Sequence, residues 1–217
     1  MTSNEKIYSF LCVFFAVLIV VSNITYQKFV SLPFFQIHEF HISVGAILYP
    51  LTFLITDLIA EFYGKEKARF CVKIALVMNI FTAIVIFCMD NLAALPWSVV
   101  DDDTFHHVFG MYSVAFIGSL LACYTSQSLD VYLYLLLKKI TMGKLLWIRN
   151  VFSTSISLLI DTTIVISFMA IFGIFQIGQA YDLIINSYSF KLVFTLLNAP
   201  LFYFYVYIIR KIMNNKI

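Results

Sequence analysis

The stretch PLTFLITDLIAEFYGKEKAR, residues 50–69, decides how the whole chain is read. Its first half is apolar but contains the carboxylate of Asp57, and it ends in a group of lysines and an arginine. The pattern is typical of a membrane helix that reaches a basic boundary, with one acidic residue where none is expected. Whether Asp57 is unusual depends on the solvent around this stretch, which the composition indicates.

The chain is too apolar for the water-soluble class. Of its 217 residues 62% are hydrophobic and 12% are charged, and the mean hydropathy is +0.93. A soluble domain of this size has about 25% charged residues. The composition therefore predicts a membrane protein. No run of lysine and arginine exceeds two consecutive residues, so no nucleic-acid partner is expected.

Six apolar segments are long enough to cross a bilayer, which takes about 20 residues. They are residues 7–27, 43–63, 70–89, 111–137, 149–175 and 188–209. Lipid offers no hydrogen bonds to the backbone, so each segment is expected to be helical. The sequence predicts an all-α integral membrane protein, a compact bundle of six helices forming one domain over residues 1–217.

The basic residues set the orientation, because lysine and arginine concentrate on the cytoplasmic side of membranes. One side of the predicted bundle carries Lys6, Lys65, Lys67, Arg69, Lys73, Lys138, Lys139, Lys144, Arg149, Arg210, Lys211 and Lys216. The other side carries only Lys28 and Lys191. Both termini are therefore expected to be cytoplasmic. A 3+3 inverted repeat, as in some transporters, stays open because the two halves show no clear sequence repeat.

Three carboxylates lie inside the predicted helices. Asp57 and Asp130 each precede the next cytoplasmic lysine by eight residues, which places both about 12 Å inside the membrane boundary. Asp161 follows Arg149 by twelve residues, about 18 Å in and near the midplane. Embedded ionisable groups are costly and usually face the interior of the bundle or a water-filled cavity. The three depths predict that the carboxylates converge on one site.

Other polar residues share helix faces with these carboxylates. The candidate residues for substrate binding or proton coupling are Asn23, Asp57, Gln127, Asp130, Asn150, Asp161 and Lys191. Carboxylates, amides and nearby aromatic rings suit a small, planar, nitrogen-rich molecule such as a nucleobase or a heterocyclic vitamin. Two alternatives stay open: one aspartate binds a coupling proton or Na⁺, or it pairs with Lys191 or Lys73 to stabilise the fold.

No motif for catalysis or cofactor binding is found. The chain lacks a P-loop, and FYGKEK does not approximate one. It also lacks HExxH and a serine–histidine pair, and the paired histidines near positions 38 and 106 are interpreted as polar loop residues. We therefore expect no enzyme activity, no resident metal and no cofactor.

Four blocks of the sequence resemble a known family. They are SN at 22–23, residues 45–69, SQSLDVYLYLLLKK at 126–139, and WIRNVFSTSISLLIDTTIVISFMAIFG at 147–173. Lys191 followed by Pro200 in the last helix also fits. In content, order and spacing these blocks resemble the queuosine precursor transporters, also called the vitamin uptake transporter family of bacterial membrane proteins.

The resemblance implies import of a 7-deazaguanine base, such as queuine, preQ1 or preQ0, across the bacterial inner membrane for tRNA modification. It also implies that the seven candidate residues occupy family positions. The chain departs from the family at Ser126 and in the residues before Asp161, which leaves the preferred base open. The alternative is a substrate-binding subunit for another heterocyclic vitamin, energised by a separate ATPase. A homodimer also stays open.

Overall fold

The computed structural model describes residues 2–26, 28–34, 38–110, 112–173 and 176–214. Lys216, counted above among the basic residues, lies outside the described residues. The elements in chain order are α1 (Ser3–Thr25), β1 (Phe29–Phe34), β2 (His38–Ser43), α2 (Val44–Ile47), α3 (Tyr49–Asp90), α4 (Asp102–Phe105), a π-helical turn (His106–Gly110), α5 (Tyr112–Ile140), α6 (Leu146–Ile171) and α7 (Ile177–Asn214).

Five helices in the described part of the chain are long and apolar enough to cross a membrane. They are Asn4–Thr25, Val44–Asp90, Phe116–Ile140, Leu146–Ile171 and Ile177–Ile212. The prediction of an α-helical membrane protein is confirmed. The segments 43–63 and 70–89, predicted as two separate helices, belong to one helical run of 47 residues. A straight helix of that length would be about 70 Å long, more than twice the thickness of the hydrocarbon layer.

This long run reverses direction at Gly64, whose backbone is not helical (φ 79°, ψ −179°). Before the break the chain runs antiparallel to α1: Gly45 lies against Ser22, and the Tyr63 hydroxyl donates to the carbonyl of Asn4. The second arm begins beside the same end of α1, where the carbonyl of Lys67 accepts from Tyr8.

Further along, the second arm follows α1 in the same direction. Cys71 contacts Cys12, and Phe81 and Val85 line a surface groove with Ile24. Successive residues of the second arm therefore contact α1 first near its beginning and later near its end. The two arms of α3, residues 49–63 and 65–90, therefore form a helical hairpin that packs along α1.

A β-hairpin, which the sequence did not predict, follows α1. Strands β1 and β2 pair antiparallel, with Phe29 opposite Ser43. Phe40 and Ile42 are buried, and the ring of Phe40 meets that of Phe190 on α7. The hairpin therefore covers α7 at one end of the bundle, which we call the hairpin end. The opposite end, where α1 begins and α5 reaches Lys138, is called the basic end.

The bundle buries its polar residues and exposes its apolar ones. Phe10, Phe87 and Trp147 are all more than half exposed, whereas Asp57, Gln127 and Asp130 are fully buried. A soluble protein shows the reverse distribution. The apolar exterior suits a hydrocarbon solvent, and the polar faces of the helices turn toward one another.

Candidate functional site

A cavity of about 110 Å³ opens near the hairpin end. That volume has room for several water molecules. Side chains from α1, the β-hairpin and helices α3, α5, α6 and α7 meet around it. The polar and aromatic groups in its wall are Ser22, Asn23, Tyr26, Phe29, Ser43, Tyr49, Ser119, Asp161, Thr162, Ser187 and Lys191.

Asp161 and Lys191, called here the ion pair, form the charged wall of this cavity. The Lys191 ammonium donates to Asp161 Oδ2 at 2.9 Å and to Thr162 Oγ1 at 3.0 Å. Asp161 Oδ1 accepts from the Tyr49 hydroxyl at 2.8 Å and from Ser126 at 3.2 Å. Both charged side chains are buried, so each neutralises the other in a low dielectric.

The ion pair keeps one acceptor and one donor position without a described hydrogen-bond partner. A carboxylate has about four lone-pair positions and an ammonium has three N–H donors. Three positions on Asp161 and two donors on Lys191 are occupied by described residues. The centre of the Tyr49 ring lies 4.7 Å from the ammonium. Asn23 on α1, which accepts from Ser119 at 2.5 Å, lines the cavity on the side opposite the ion pair.

Gln127 lies one step further into the bundle. Its amide nitrogen donates to Thr52 Oγ1 at 3.0 Å, and its oxygen accepts from Thr56 Oγ1 at 2.9 Å. All three side chains are completely buried. Helix α3 supplies both threonines one turn apart, so the glutamine ties α5 to the first arm of α3.

Asp57 and Asp130, called here the acid pair, face each other about one turn beyond Gln127 toward the basic end. Asp57 Oδ2 accepts from Asn150 Nδ2 at 2.5 Å. Asp130 faces the hydroxyls of Ser153 and Thr154 on α6, but no described donor reaches either of its oxygens with good geometry. Both carboxyl groups are fully buried, and no described cation lies within ion-pair distance of them.

Glu61 lies a further turn along α3 at the basic end. Its carboxylate contacts three cations on three helices: Lys138 at 2.9 Å, Arg149 at 3.3 Å and Arg210 at 3.4 Å. It also accepts from the Tyr134 hydroxyl at 3.0 Å. We call these five residues the Glu61 cluster. It joins α3, α5, α6 and α7 where the polar column ends.

The structure places the seven predicted residues in one column, but not in one cluster. Asn23, Asp161 and Lys191 lie at the cavity, whereas Asp57, Asp130 and Asn150 lie toward the basic end. Gln127 lies between the two groups. We expected all three aspartates to converge on one site. In the structure no described hydrogen bond joins Asp161 to either member of the acid pair. Depth along a helix does not determine which neighbour a side chain faces.

Sequence reasoning missed several members of the column. Tyr49 precedes Pro50 in an apolar run and carried no polar pattern of its own. Glu61 was not among the predicted site residues, and Arg149 was counted as a boundary residue although its side chain is 1% exposed. The helical spacing from Asp57 could have identified Glu61, four residues further on, whereas Tyr49 and Arg149 carried no such signal. Among the described residues no group of three or more His, Cys, Asp or Glu could hold a metal.

The fold and its buried column define a class: an α-helical membrane protein with several apolar spans, a polar interior and a small polar-lined cavity at one end. Comparisons with known proteins sharpen this class. The family model described as "Putative vitamin uptake transporter" matches residues 43–205. A protein of Bacillus subtilis (strain 168) named "Probable queuosine precursor transporter" is 30% identical over 174 residues, covering 80% of this chain and 73% of the relative. No solved structure matches.

The matched region contains three-quarters of the chain and six of the seven predicted residues; Asn23 lies before it. The chain therefore belongs to the vitamin uptake transporter family, as its motifs predicted. It is a transporter-family membrane protein.

Proposed function

We propose that this protein imports a queuosine precursor, a 7-deazaguanine base, across the bacterial inner membrane. Two findings support the proposal: membership of the vitamin uptake transporter family, and similarity to a relative named as a queuosine precursor transporter. The base would enter the cell for insertion into tRNA. The protein acts as a carrier and performs no chemistry on the base.

One observation carries the choice of ligand, namely the paired free positions on Asp161 and Lys191. A guanine-like base presents a ring N–H donor beside a carbonyl acceptor, and carboxylates and lysines read such groups in other settings. The remaining lone pair of Asp161 accepts the ring N–H, and the third donor of Lys191 binds the carbonyl oxygen. The Tyr49 ring, which already lies against the ammonium, provides an aromatic wall for the planar base.

The other predicted residues serve the same passage. Asn23 supplies an amide at the cavity opposite the ion pair. Gln127, Asn150 and the acid pair line the route toward the basic end, where the base is released.

We further propose that the chain crosses the membrane six times, with both termini and the basic end in the cytoplasm. The opposite directions of the two arms of α3 along α1 support two separate crossings by that helix. The lysines and arginines at the basic end support the orientation. The cavity at the hairpin end then faces the periplasm, the side from which a base arrives.

The proposal is tested in a bacterium that can neither make nor import queuosine precursors. Expression of the wild-type chain should restore queuosine in tRNA when queuine, preQ1 or preQ0 is supplied at limiting concentration. Asp161→Asn and Lys191→Met should each fail, because they remove the paired acceptor and donor. Lys144→Gln, in an exposed loop, is the matched control and should restore as well as the wild type.

Membrane levels of every variant are measured in the same cells. Unmodified tRNA despite normal wild-type levels in the membrane would contradict the proposal for these precursors. Uptake by the purified chain in liposomes without nucleotide separates a self-sufficient carrier from a subunit that depends on an ATPase.

A further inference from the structure

The acid pair stands apart from every other buried carboxylate of the described chain in having no cation. Lys191 neutralises Asp161, and three cations surround Glu61. The acid pair accepts one good hydrogen bond from a described residue, from the amide of Asn150 to Asp57. Three of their four oxygens accept no hydrogen bond with good geometry from a described residue. The nearby Thr154 hydroxyl also has no described hydrogen-bond partner.

Charged and titratable groups around the acid pair do not supply the missing charge. Those on the packed helices are Glu61 on α3, Tyr134 on α5, Arg149 on α6, Arg210 on α7 and Cys12 on α1. Arg149 acts on Asp57 through space but lies beyond ion-pair distance, and it is committed to Glu61. Arg210 also binds Glu61, and Cys12 faces Cys71.

Two bare carboxylates in contact inside a low-dielectric interior repel each other and are both poorly solvated. Two carboxyl groups that share one buried site do not both ionise. One keeps its proton and donates a hydrogen bond to the other. The side chains of Asp57 and Asp130 are close enough to interact directly, an approach that is attractive only with a proton between them. The buried hydroxyls on α6 then complete the site around Asp130.

We propose that Asp57 and Asp130 form a proton-binding site that holds one shared proton and couples its movement to transport. In the loaded state one carboxyl group carries the O–H bond and donates it to the other, which is a carboxylate. Release breaks that O–H bond, transfers the proton to water at the cytoplasmic side and leaves two facing carboxylates. The deprotonated pair is unfavourable in the closed bundle, because two buried carboxylates repel each other. The site therefore binds another proton before the bundle closes. The coupling part of the proposal rests on the proposed function, whereas proton binding does not.

The position of the acid pair fits this role. It lies between the Gln127 contacts, which lead to the cavity, and the Glu61 cluster, which closes the basic end. A proton held there affects whether α3, α5 and α6 stay together, because Asp57, Asp130 and Asn150 come from those three helices. The ligand site at the ion pair is a separate place along the same column.

Infrared spectroscopy of the purified protein tests proton binding without any transport substrate. At neutral pH and without sodium, the wild type should show the carbonyl band of a protonated carboxylic acid, shifted in D₂O. The band should shift in Asp57→Asn and in Asp130→Asn, because the remaining buried carboxyl group keeps its proton beside an amide. It should be lost when both aspartates are replaced by asparagine. Glu61→Gln is the matched control, one turn away on the same helix; three cations contact the Glu61 carboxylate, so the band should persist in this variant.

A wild type without the band at neutral pH would overturn the proposal, and so would a band that survives unchanged in the variant with both aspartates replaced. The wild-type spectrum alone decides this if that variant fails to fold. If sodium removes the band or is required for stability, the site binds a metal cation and the shared proton is wrong.

Coupling is tested in liposomes carrying the purified protein. An inward proton gradient should drive accumulation of labelled base by the wild type, with measurable entry of protons. Asp130→Asn should lose gradient-driven accumulation but still exchange labelled for unlabelled base across the membrane. Wild-type exchange without any response to the gradient would overturn coupling, whereas a complete lack of wild-type exchange would contradict the proposed function and leave the infrared result standing.

Discussion

The ion pair and the acid pair are both buried carboxylate sites, yet they solve the problem of charge in opposite ways. At the ion pair, Asp161 meets a lysine, a tyrosine and a serine beside an open cavity. At the acid pair, two carboxyl groups meet each other and one amide in a closed part of the bundle. In our proposal the first site binds a polar ligand and the second takes up and releases a proton, so burial alone does not define the role of an embedded aspartate.

The largest effect should come from breaking the ion pair. Asp161→Asn leaves Lys191 buried without a counter-charge, which costs about 3–5 kcal/mol of unfolding free energy. Thermal unfolding in detergent measures the loss. The double variant Asp161→Asn with Lys191→Met should recover most of it, because it removes the isolated charge. A double variant no more stable than the single one would contradict the pairing.

The Glu61 cluster extends the comparison to a third carboxylate. Glu61→Gln weakens its hydrogen bonds to three cations and should cost about 1.5–3 kcal/mol, mainly through the buried Arg149. Arg210→Gln is the control, since Arg210 is 60% exposed and an exposed ion pair contributes less than about 1 kcal/mol. Chemical denaturation compares the two, and equal losses would show that the buried arginine is not the important partner.

The link between the two sites should have an intermediate effect. Gln127→Leu removes two hydrogen bonds and leaves the hydroxyls of Thr52 and Thr56 with fewer partners, at a cost of about 1–2 kcal/mol. Gln127→Glu, which keeps the acceptor oxygen for Thr56 but replaces the donor to Thr52 by an oxygen, is the informative companion variant. Melting temperatures rank them, and a Leu variant as stable as the wild type would mean that this contact does not tie α5 to α3.

The smallest effect on stability should come from the acid pair. Asp57→Asn and Asp130→Asn each replace a group that shares a proton by an uncharged amide of the same shape, so unfolding free energy should change by less than about 1 kcal/mol. The same denaturation assay measures it. A loss as large as that of Asp161→Asn would indicate an ionised, structurally paired carboxylate and would remove the contrast between the two sites.

Much of this arrangement could be predicted from the sequence, for reasons that particular residues make plain. Asp57, Asp130 and Asp161 stand out because carboxylates are rare in apolar helices, and their helical spacing identified Gln127 and Asn150 as neighbours. The partners could not be predicted, because depth along a helix says nothing about its rotation against another helix. The pairing of an aspartate with Lys191 or Lys73 was therefore left open, and the lack of a cation at the acid pair could not be predicted.

The hairpin at residues 29–43 shows the same limit on the fold. Composition predicted helices because lipid demands them, but it has no bearing on a segment outside the hydrocarbon layer. The break at Gly64 is different: the predicted segments 43–63 and 70–89 already left a basic gap around it. What the sequence did not indicate was that a single non-helical residue, Gly64 with its positive φ, joins the two arms of α3.

The division of roles between the two sites is the central claim, and binding of a 7-deazaguanine base to purified protein tests it most directly. Calorimetry with queuine, preQ1, preQ0 and guanine is performed on the wild type, Asp161→Asn and Asp57→Asn. We predict that Asp161→Asn loses at least about tenfold in affinity, or 1.4 kcal/mol, and that Asp57→Asn binds like the wild type. Loss of binding in Asp57→Asn with retention in Asp161→Asn would contradict the account.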